Sequence, residues 1–170
     1  EECKGHSDAV CIGEGEEAWP AMLKDLARGD LKDYYVGGPH AVSHLKGRIR
    51  RFPARSDLRN LSTPRRGLFP PGRYKLNGLF VSRGCPYDCK FCSVKNLQGA
   101  EVRLRPIEEV LKEISEIQGP IFFAEENVTG TLSTAGYHLE LFRRIASEGM
   151  GRNLSGGSLL GMAGNKRGRK

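Results

Sequence analysis

Three closely spaced cysteines near the middle of the chain are its strongest candidates for chemistry. Cys85, Cys89 and Cys92 follow the spacing CxxxCxxC, directly after an apolar run. Gly84 and Pro86 favour a turn at this point, which lets three thiolates converge on one centre. The spacing therefore predicts a metal or cluster site on a loop that leaves a strand.

The number of ligands indicates which centre the cysteines hold. A structural zinc site closes four ligands, commonly as two separated pairs, and the sequence has no second CxxC and no histidine pair after the motif. Iron–sulfur clusters usually take four cysteines, so three would leave one iron with an open position. Such an open position is a place for chemistry.

The remaining cysteines, Cys3 and Cys11, are interpreted as structural. An odd total of five cysteines, in a chain with a βα pattern, argues against a disulfide framework and for a reducing compartment. The sequence also shows no apolar run long enough to span a bilayer and no secretory signal. The predicted location is the cytoplasm, without membrane association.

The elements that must position the motif belong to a parallel βα series. A strand is predicted over residues 76–82, before the cysteines, and a helix begins at Pro106. A short strand over 121–124, a helix over about 134–147 and a weak third strand near 154–160 follow. In the second helix the predicted apolar positions are Leu139, Leu141, Phe142, Ile145 and Ala146. Alternating strands and helices predict the α/β class.

The chain before this series divides into two further regions. Residues 8–12 form a short apolar run, Gly13 to Glu16 form a Gly-rich turn, and residues 17–28 have helical spacing with Gly29 as the C-cap. Residues 37–73 contain five prolines and little periodicity, which predicts an irregular connector. We therefore expect three parts, over residues 1–36, 37–73 and 74–170.

The net charge of +7 is unevenly distributed along the 170 residues. Residues 37–73 carry nine bases and one acid, and residues 162–170 add four bases, whereas residues 74–161 carry ten of each. A nucleic-acid-binding domain would more usually present a basic face on a folded element. The charge pattern favours a solvated linker, or a strap lying on a missing acidic surface, over nucleic-acid binding.

The residues around the cysteines resemble the cluster motif of radical S-adenosylmethionine (radical SAM) enzymes. An aromatic residue, Phe91, precedes the last cysteine, and the motif follows the first strand of a βα series. Three segments are similar to the subgroup that carries a cobalamin-binding domain before the radical SAM barrel: Gly13-Glu14-Gly15-Glu16, Ser82-Arg83-Gly84-Cys85-Pro86-Tyr87-Asp88-Cys89 and Phe122-Phe123-Ala124-Glu125-Glu126-Asn127. The resemblance covers most of residues 6–36 and 74–160.

The resemblance implies a fold. Residues 74–170 would form the incomplete start of a parallel (β/α) barrel of radical SAM type. Residues 1–36 would be the last βα unit of a Rossmann-like, cobalamin-binding domain. A full barrel needs about 200 residues or more, so the sequence is expected to be a fragment.

The resemblance also implies an activity, cofactors and site residues. Cys85, Cys89 and Cys92 would hold a 4Fe-4S cluster whose fourth iron binds SAM, and the protein would cleave SAM reductively to a 5′-deoxyadenosyl radical. Phe91 matches the aromatic residue near the adenine. Glu125, Glu126 and Asn127 fall where the family meets the SAM ammonium or ribose, and carboxylates there suit a cation. The implied partners are an unknown substrate and an electron donor such as flavodoxin or ferredoxin.

The histidine pattern of the sequence differs from that of many cobalamin domains. The Asp-x-His-x-x-Gly segment of many cobalamin domains is missing from the sequence, and His6, His40 and His44 do not lie in such a context. Cobalamin is therefore expected in full-length relatives rather than in this chain. The alternative to the radical SAM interpretation is a non-enzymatic zinc- or nucleic-acid-binding module that uses the three cysteines and the basic connector.

Overall fold

The computed structural model describes residues 2–37, 55–70, 73–126, 131–150 and 154–156. It divides the chain into two compact units. The first comprises Glu1–Asp57 with Tyr87–Ala100, and the second comprises Leu58–Pro86 with Glu101–Lys170. The predicted residues Asn127, His40 and His44, much of the connector and the end of the third strand lie outside the described residues.

The first unit is built around a parallel pair of short strands. Strand β1 (Val10–Ile12) leads through Gly13 into helix α1 (Gly15–Ala27), and strand β2 (Tyr34–Val36) returns beside β1. Helix α2 (Val94–Gln98) belongs to the same unit. The predicted strand–turn–helix is confirmed. The prediction missed β2, because three residues are too few for periodicity to reveal a strand.

Buried polar contacts hold the start of α1 in place. The backbone N–H of Ser56 donates to Glu14 Oε2 at 2.7 Å, and Ser56 Oγ donates to Glu17 Oε2 at 2.6 Å. Ser56 itself is fully buried. Glu14 and Glu17, at the start of α1, therefore bind the later residue Ser56. Negative charge at a helix N-terminus is also favourable in itself.

The outer side of α1 is apolar and open. Trp19, Leu23 and Leu26 are each about half exposed and line a shallow groove of about 360 Å³ together with His6 and Asp8. The helical spacing of these residues marks a common face. Within the first unit, the described residues leave this face uncovered.

The second unit contains a three-stranded parallel sheet in the order β3–β6–β7. Its strands are β3 (Asn77–Leu79), β6 (Ile121–Phe123) and β7 (Leu154–Gly156), connected through helices α3 (Ile107–Glu116) and α4 (Ala135–Ser147). A mixed α/β fold with parallel strands is thus confirmed. A start of this kind is compatible with several α/β folds, so the partial barrel stays a prediction.

A short antiparallel pair stands beside this sheet. Strand β4 (Ser82–Arg83) pairs with strand β5 (Arg103–Leu104), with Ser82 opposite Leu104. The cysteine motif lies in the segment between these two strands, so that segment leaves and re-enters the second unit through one ladder. The prediction had a single strand over 76–82; the structure ends β3 at Leu79 and starts β4 at Ser82.

The core of the second unit lies between the sheet and its helices. Nine buried apolar residues form it: Leu79, Val81, Val110, Leu111, Ile114, Ile121, Phe123, Leu141 and Ile145. The Phe142 ring packs edge-on against Phe123 at a centroid distance of 5.8 Å. The predicted apolar position Leu139 is wrong as a core position, because it is 55% exposed, and His138 is buried in its place.

No helix among the described ranges is long and apolar enough to cross a membrane.

Candidate functional site

The cysteine motif begins at a backbone position that requires glycine. Gly84 has φ = 104°, a left-handed region that side chains disfavour. It follows β4 directly and precedes Cys85. The predicted turn at Gly84 is therefore confirmed.

The three predicted cluster ligands are divided between the two units. Cys85 belongs to the second unit and is partly exposed, whereas Cys89 and Cys92 belong to the first unit and are exposed. The N–H of Cys92 donates to the carbonyl of Cys89 at 3.0 Å, which closes a turn between them. All three thiols are free of disulfides.

The donor set of the motif fits an iron–sulfur cluster, because free, accessible thiols are the ligands that such clusters take. Within the described ranges, no three His, Cys, Asp or Glu side chains are grouped so as to hold a metal ion. The fit therefore concerns the kind and number of ligands. Assignment of the three cysteines as cluster ligands stays a prediction.

The other predicted binding residues have different surroundings. Phe91, in the first unit, is 94% exposed, so its ring has no role in the core. Glu125 and Glu126 lie in the second unit, just beyond the end of β6. Asn127 lies outside the described residues. Their predicted contacts with SAM are not tested by the structure.

Glu125 lies at the carboxyl end of the parallel sheet and is held by groups of its own unit. Its side chain is fully buried. Oε1 accepts a hydrogen bond from the N–H of Val81 at 2.5 Å, and Oε2 accepts one from Ser82 Oγ at 3.1 Å. His138 Nε2 lies 3.7 Å from Oε2. A buried carboxylate requires such partners, since its desolvation is otherwise costly.

The surroundings of His138 favour its charged form. Nδ1 lies 3.0 Å from the carbonyl of Thr134, a pure acceptor, so Nδ1 carries a proton. Burial lowers the pKa of His138, but the Glu125 carboxylate and the Thr134 carbonyl together raise it above its ordinary value. The position of Glu125 beside His138 therefore favours protonation of the imidazole.

A second buried network lies next to this pair. Glu113 on α3 is almost fully buried and binds two arginines: Arg105 at 2.8 Å and Arg66 at 2.5 Å. Arg105 also donates to the carbonyl of Phe80 at 3.0 Å, and Tyr137 Oη donates to the carbonyl of Arg105 at 2.7 Å. Burial and the charge of Glu125 raise the pKa of Tyr137. This network therefore binds the backbone just before β4, at Phe80, and just after β5, at Arg105.

No sequence pattern predicted the buried polar contacts that four residues make near this edge of the sheet: Ser82, Arg105, Glu113 and His138. His138 shares a helical face with Leu141 and Ile145, at spacings of three and four residues, and this spacing was the available signal. Arg66 had been grouped with the connector, yet it also donates to the carbonyl of Gly78 at 2.9 Å. Its contact with Glu113 is a buried ion pair within the second unit.

Comparison with known proteins places methyl-transferring enzymes among the relatives of this chain. It is 30% identical over 154 residues to the hopanoid C-3 methylase of Methylococcus capsulatus, covering 86% of this chain and 28% of that protein. It is 27% identical over 129 residues to the bacteriochlorophyllide d C-8(2)-methyltransferase of Chlorobaculum tepidum, covering 73% and 26%. An uncharacterized methyltransferase of Pyrococcus horikoshii is 33% identical over 118 residues, covering 64% and 25%.

No family model matches the chain. The chain spans about a quarter of the length of the relatives named above. All three bear the names of methyl-transferring enzymes, so the prediction that this sequence is that of an enzyme is confirmed.

Proposed function

We propose that this chain is part of a radical SAM enzyme that transfers a methyl group. The observation that carries the proposal is the CxxxCxxC motif, which leaves the second unit directly after β4, beside the carboxyl ends of β3 and β6. Ligands of parallel α/β sheets bind at this end of the strands. The named relatives support methyl transfer as the reaction class.

In this proposal Cys85, Cys89 and Cys92 hold a 4Fe-4S cluster. When bound, such a cluster supplies the electron that cleaves SAM reductively. The cysteines contribute three thiolates, and the absence of a fourth cysteine near the motif reserves one position for SAM. Phe91, Glu126 and Asn127 are the proposed SAM-contacting residues.

The methyl acceptor is not assigned. The relatives are named for different acceptors, a hopanoid and a bacteriochlorophyllide, and they agree only in the group transferred. Cobalamin is not part of the proposal for these residues, because the sequence contains no Asp-x-His-x-x-Gly segment. Flavodoxin or ferredoxin remains the proposed class of electron donor.

Anaerobic reconstitution with iron and sulfide tests the cluster. The wild-type chain is expected to bind about four irons and four sulfides, as a 4Fe-4S cluster requires, and Cys89→Ala is expected to lose most of them. Cys11→Ala is the matched control, since Cys11 is also an exposed free cysteine but lies outside the motif. Binding of zinc without iron, or equal loss in both variants, would favour the non-enzymatic alternative.

Release of 5′-deoxyadenosine from SAM separates cluster binding from catalysis. We expect slow release by the reduced, reconstituted chain, because about three quarters of the length of the relatives is not represented in it. Release from Cys89→Ala should not exceed the buffer background. Equal release by the wild type and this variant would contradict the assignment of the cysteines.

A further inference from the structure

We propose that Glu125 is a positioning residue: its carboxylate fixes the backbone from which the cysteine segment leaves the sheet. The inference deepens the proposed function and rests on it for the role of the cysteines. It assigns to Glu125 a task different from the one that the family resemblance implies.

The contacts of Glu125 lie on three elements of the second unit. Its own position follows β6, its hydrogen-bond donors Val81 and Ser82 lie just before and at the start of β4, and His138 lies on α4. Ala124 adds a backbone hydrogen bond to the carbonyl of Leu79 at 2.7 Å, so the chain beyond β6 continues along β3. Glu125 therefore joins β6 to the residues that lead into the motif.

The carboxylate is placed for structure rather than for ligand binding. It has no exposed surface, and each oxygen already has a polar partner. A SAM ammonium could reach it only if these hydrogen bonds were broken, and a hydrogen bond to a charged, buried group is among the stronger kinds.

The position of the hydrogen bonds explains why the cysteine segment needs them. Val81 lies four residues and Ser82 three residues before Cys85. Gly84, directly before Cys85, adopts a left-handed conformation. A glycine is the most freely moving residue of a backbone, so the direction of the segment depends on what holds the residues before it. Glu125 restrains those residues through its hydrogen bonds with Val81 and Ser82, and His138 lies 3.7 Å from the same carboxylate.

Hydrogen–deuterium exchange of the metal-free, reduced full chain tests the inference. In Glu125→Gln, which retains an acceptor, and in Glu125→Asp, which retains charge but shortens the reach, exchange of the amides at 80–84 is expected to accelerate, by about tenfold or more in Glu125→Asp. Exchange in α3, which packs on the core, should be unchanged. The control Glu140→Gln removes an exposed carboxylate of α4 and should alter neither.

Iron binding by the same variant gives a second readout of the positioning role of Glu125. If the reconstituted Glu125→Asp chain binds less iron while its exchange at 80–84 rises, the positioning role is supported. Unchanged exchange at 80–84 would overturn it, as would a uniform rise throughout the second unit, which would make Glu125 a general core residue. The exchange is measured without iron or SAM, so a wild type that fails to assemble a cluster overturns the proposed function and leaves this inference standing.

Discussion

Single buried charges determine how firmly the start of the cysteine segment is held. Glu125 is paired with His138, and Glu113 is paired with Arg105 and Arg66. Glu125 binds groups at or next to β4, and Glu113 binds Arg105, which directly follows β5. Removal of one partner of such a pair leaves an uncompensated charge in a low-dielectric interior, which costs more than the loss of a surface ion pair.

The pair formed by His138 and Glu125 predicts a pH-dependent stability. Because the folded state raises the pKa of His138 above its unfolded value of about 6.5, the contribution is complete below that pH and is lost as the pH rises through the folded pKa. Urea unfolding at a series of pH values from below about 6.5 upward should show that the free energy of unfolding falls as the pH rises. The His138→Gln chain should lack it.

The pKa of Tyr137, the neighbouring titratable group, is raised and lies above the window of this measurement. Parallel pH profiles for the wild type and His138→Gln would therefore contradict the assigned pair directly.

The Glu113 network predicts a large loss of stability. Glu113→Ala leaves the guanidinium of Arg105, which is 3% exposed, without its carboxylate, and the free energy of unfolding should fall by about 3–5 kcal/mol. Glu116→Ala, an exposed residue at the end of the same helix, should change it by less than about 1 kcal/mol. Similar losses of unfolding free energy in both variants would show that the buried network stabilises the fold no more than an exposed residue does.

At the scale of elements, the βα series follows from periodicity, and the short strands do not. Helices α3 and α4 have enough apolar residues at regular spacing for the sequence to predict them, and β6 is predicted as a short apolar run between them. Strands β2, β4 and β5 comprise two or three residues each and exist through pairing with distant partners, which no local pattern reports. The predicted set of site residues was limited in the same way, because Glu125, Ser82 and His138 meet only through tertiary contacts.

The buried face of α4 gives a prediction for an element. Leu141 is fully buried in the core, and Leu139 is 55% exposed, although both were predicted as apolar contacts. Leu141→Ala should cost about 2–5 kcal/mol of unfolding free energy, and Leu139→Ala less than about 1 kcal/mol. Thermal or urea unfolding distinguishes the two. A greater cost at Leu139 would mean that the helix is rotated about its axis from the position described.

A close approach of two backbones in the first unit gives a second element prediction. A Cβ at Gly37 would lie 1.7 Å from the carbonyl oxygen of Glu14, a distance that no rearrangement of a side chain can relieve. Gly37→Ala should therefore loosen β2 from β1 and destabilise the first unit by more than about 2 kcal/mol. At Gly15, where a Cβ meets open space, the same change should be neutral or stabilising. Equal effects would contradict the described contact.

At the scale of the whole molecule, the chain combines a cysteine motif with only part of the length of the enzymes that it resembles. The relatives named above are about four times as long as the region they share with this chain. Three parallel strands carry the edge at which the motif leaves the second unit. The positive charge lies mainly in residues 37–73 and in the tail.

The central claim is that three cysteines hold a cluster with one iron open to SAM. Electron paramagnetic resonance of the anaerobically reconstituted, reduced chain, before and after addition of SAM, tests it most directly. The account predicts the signal of a 4Fe-4S cluster that changes when SAM is added and that is lost in Cys89→Ala. A signal indifferent to SAM, or no iron signal with zinc bound instead, would contradict it.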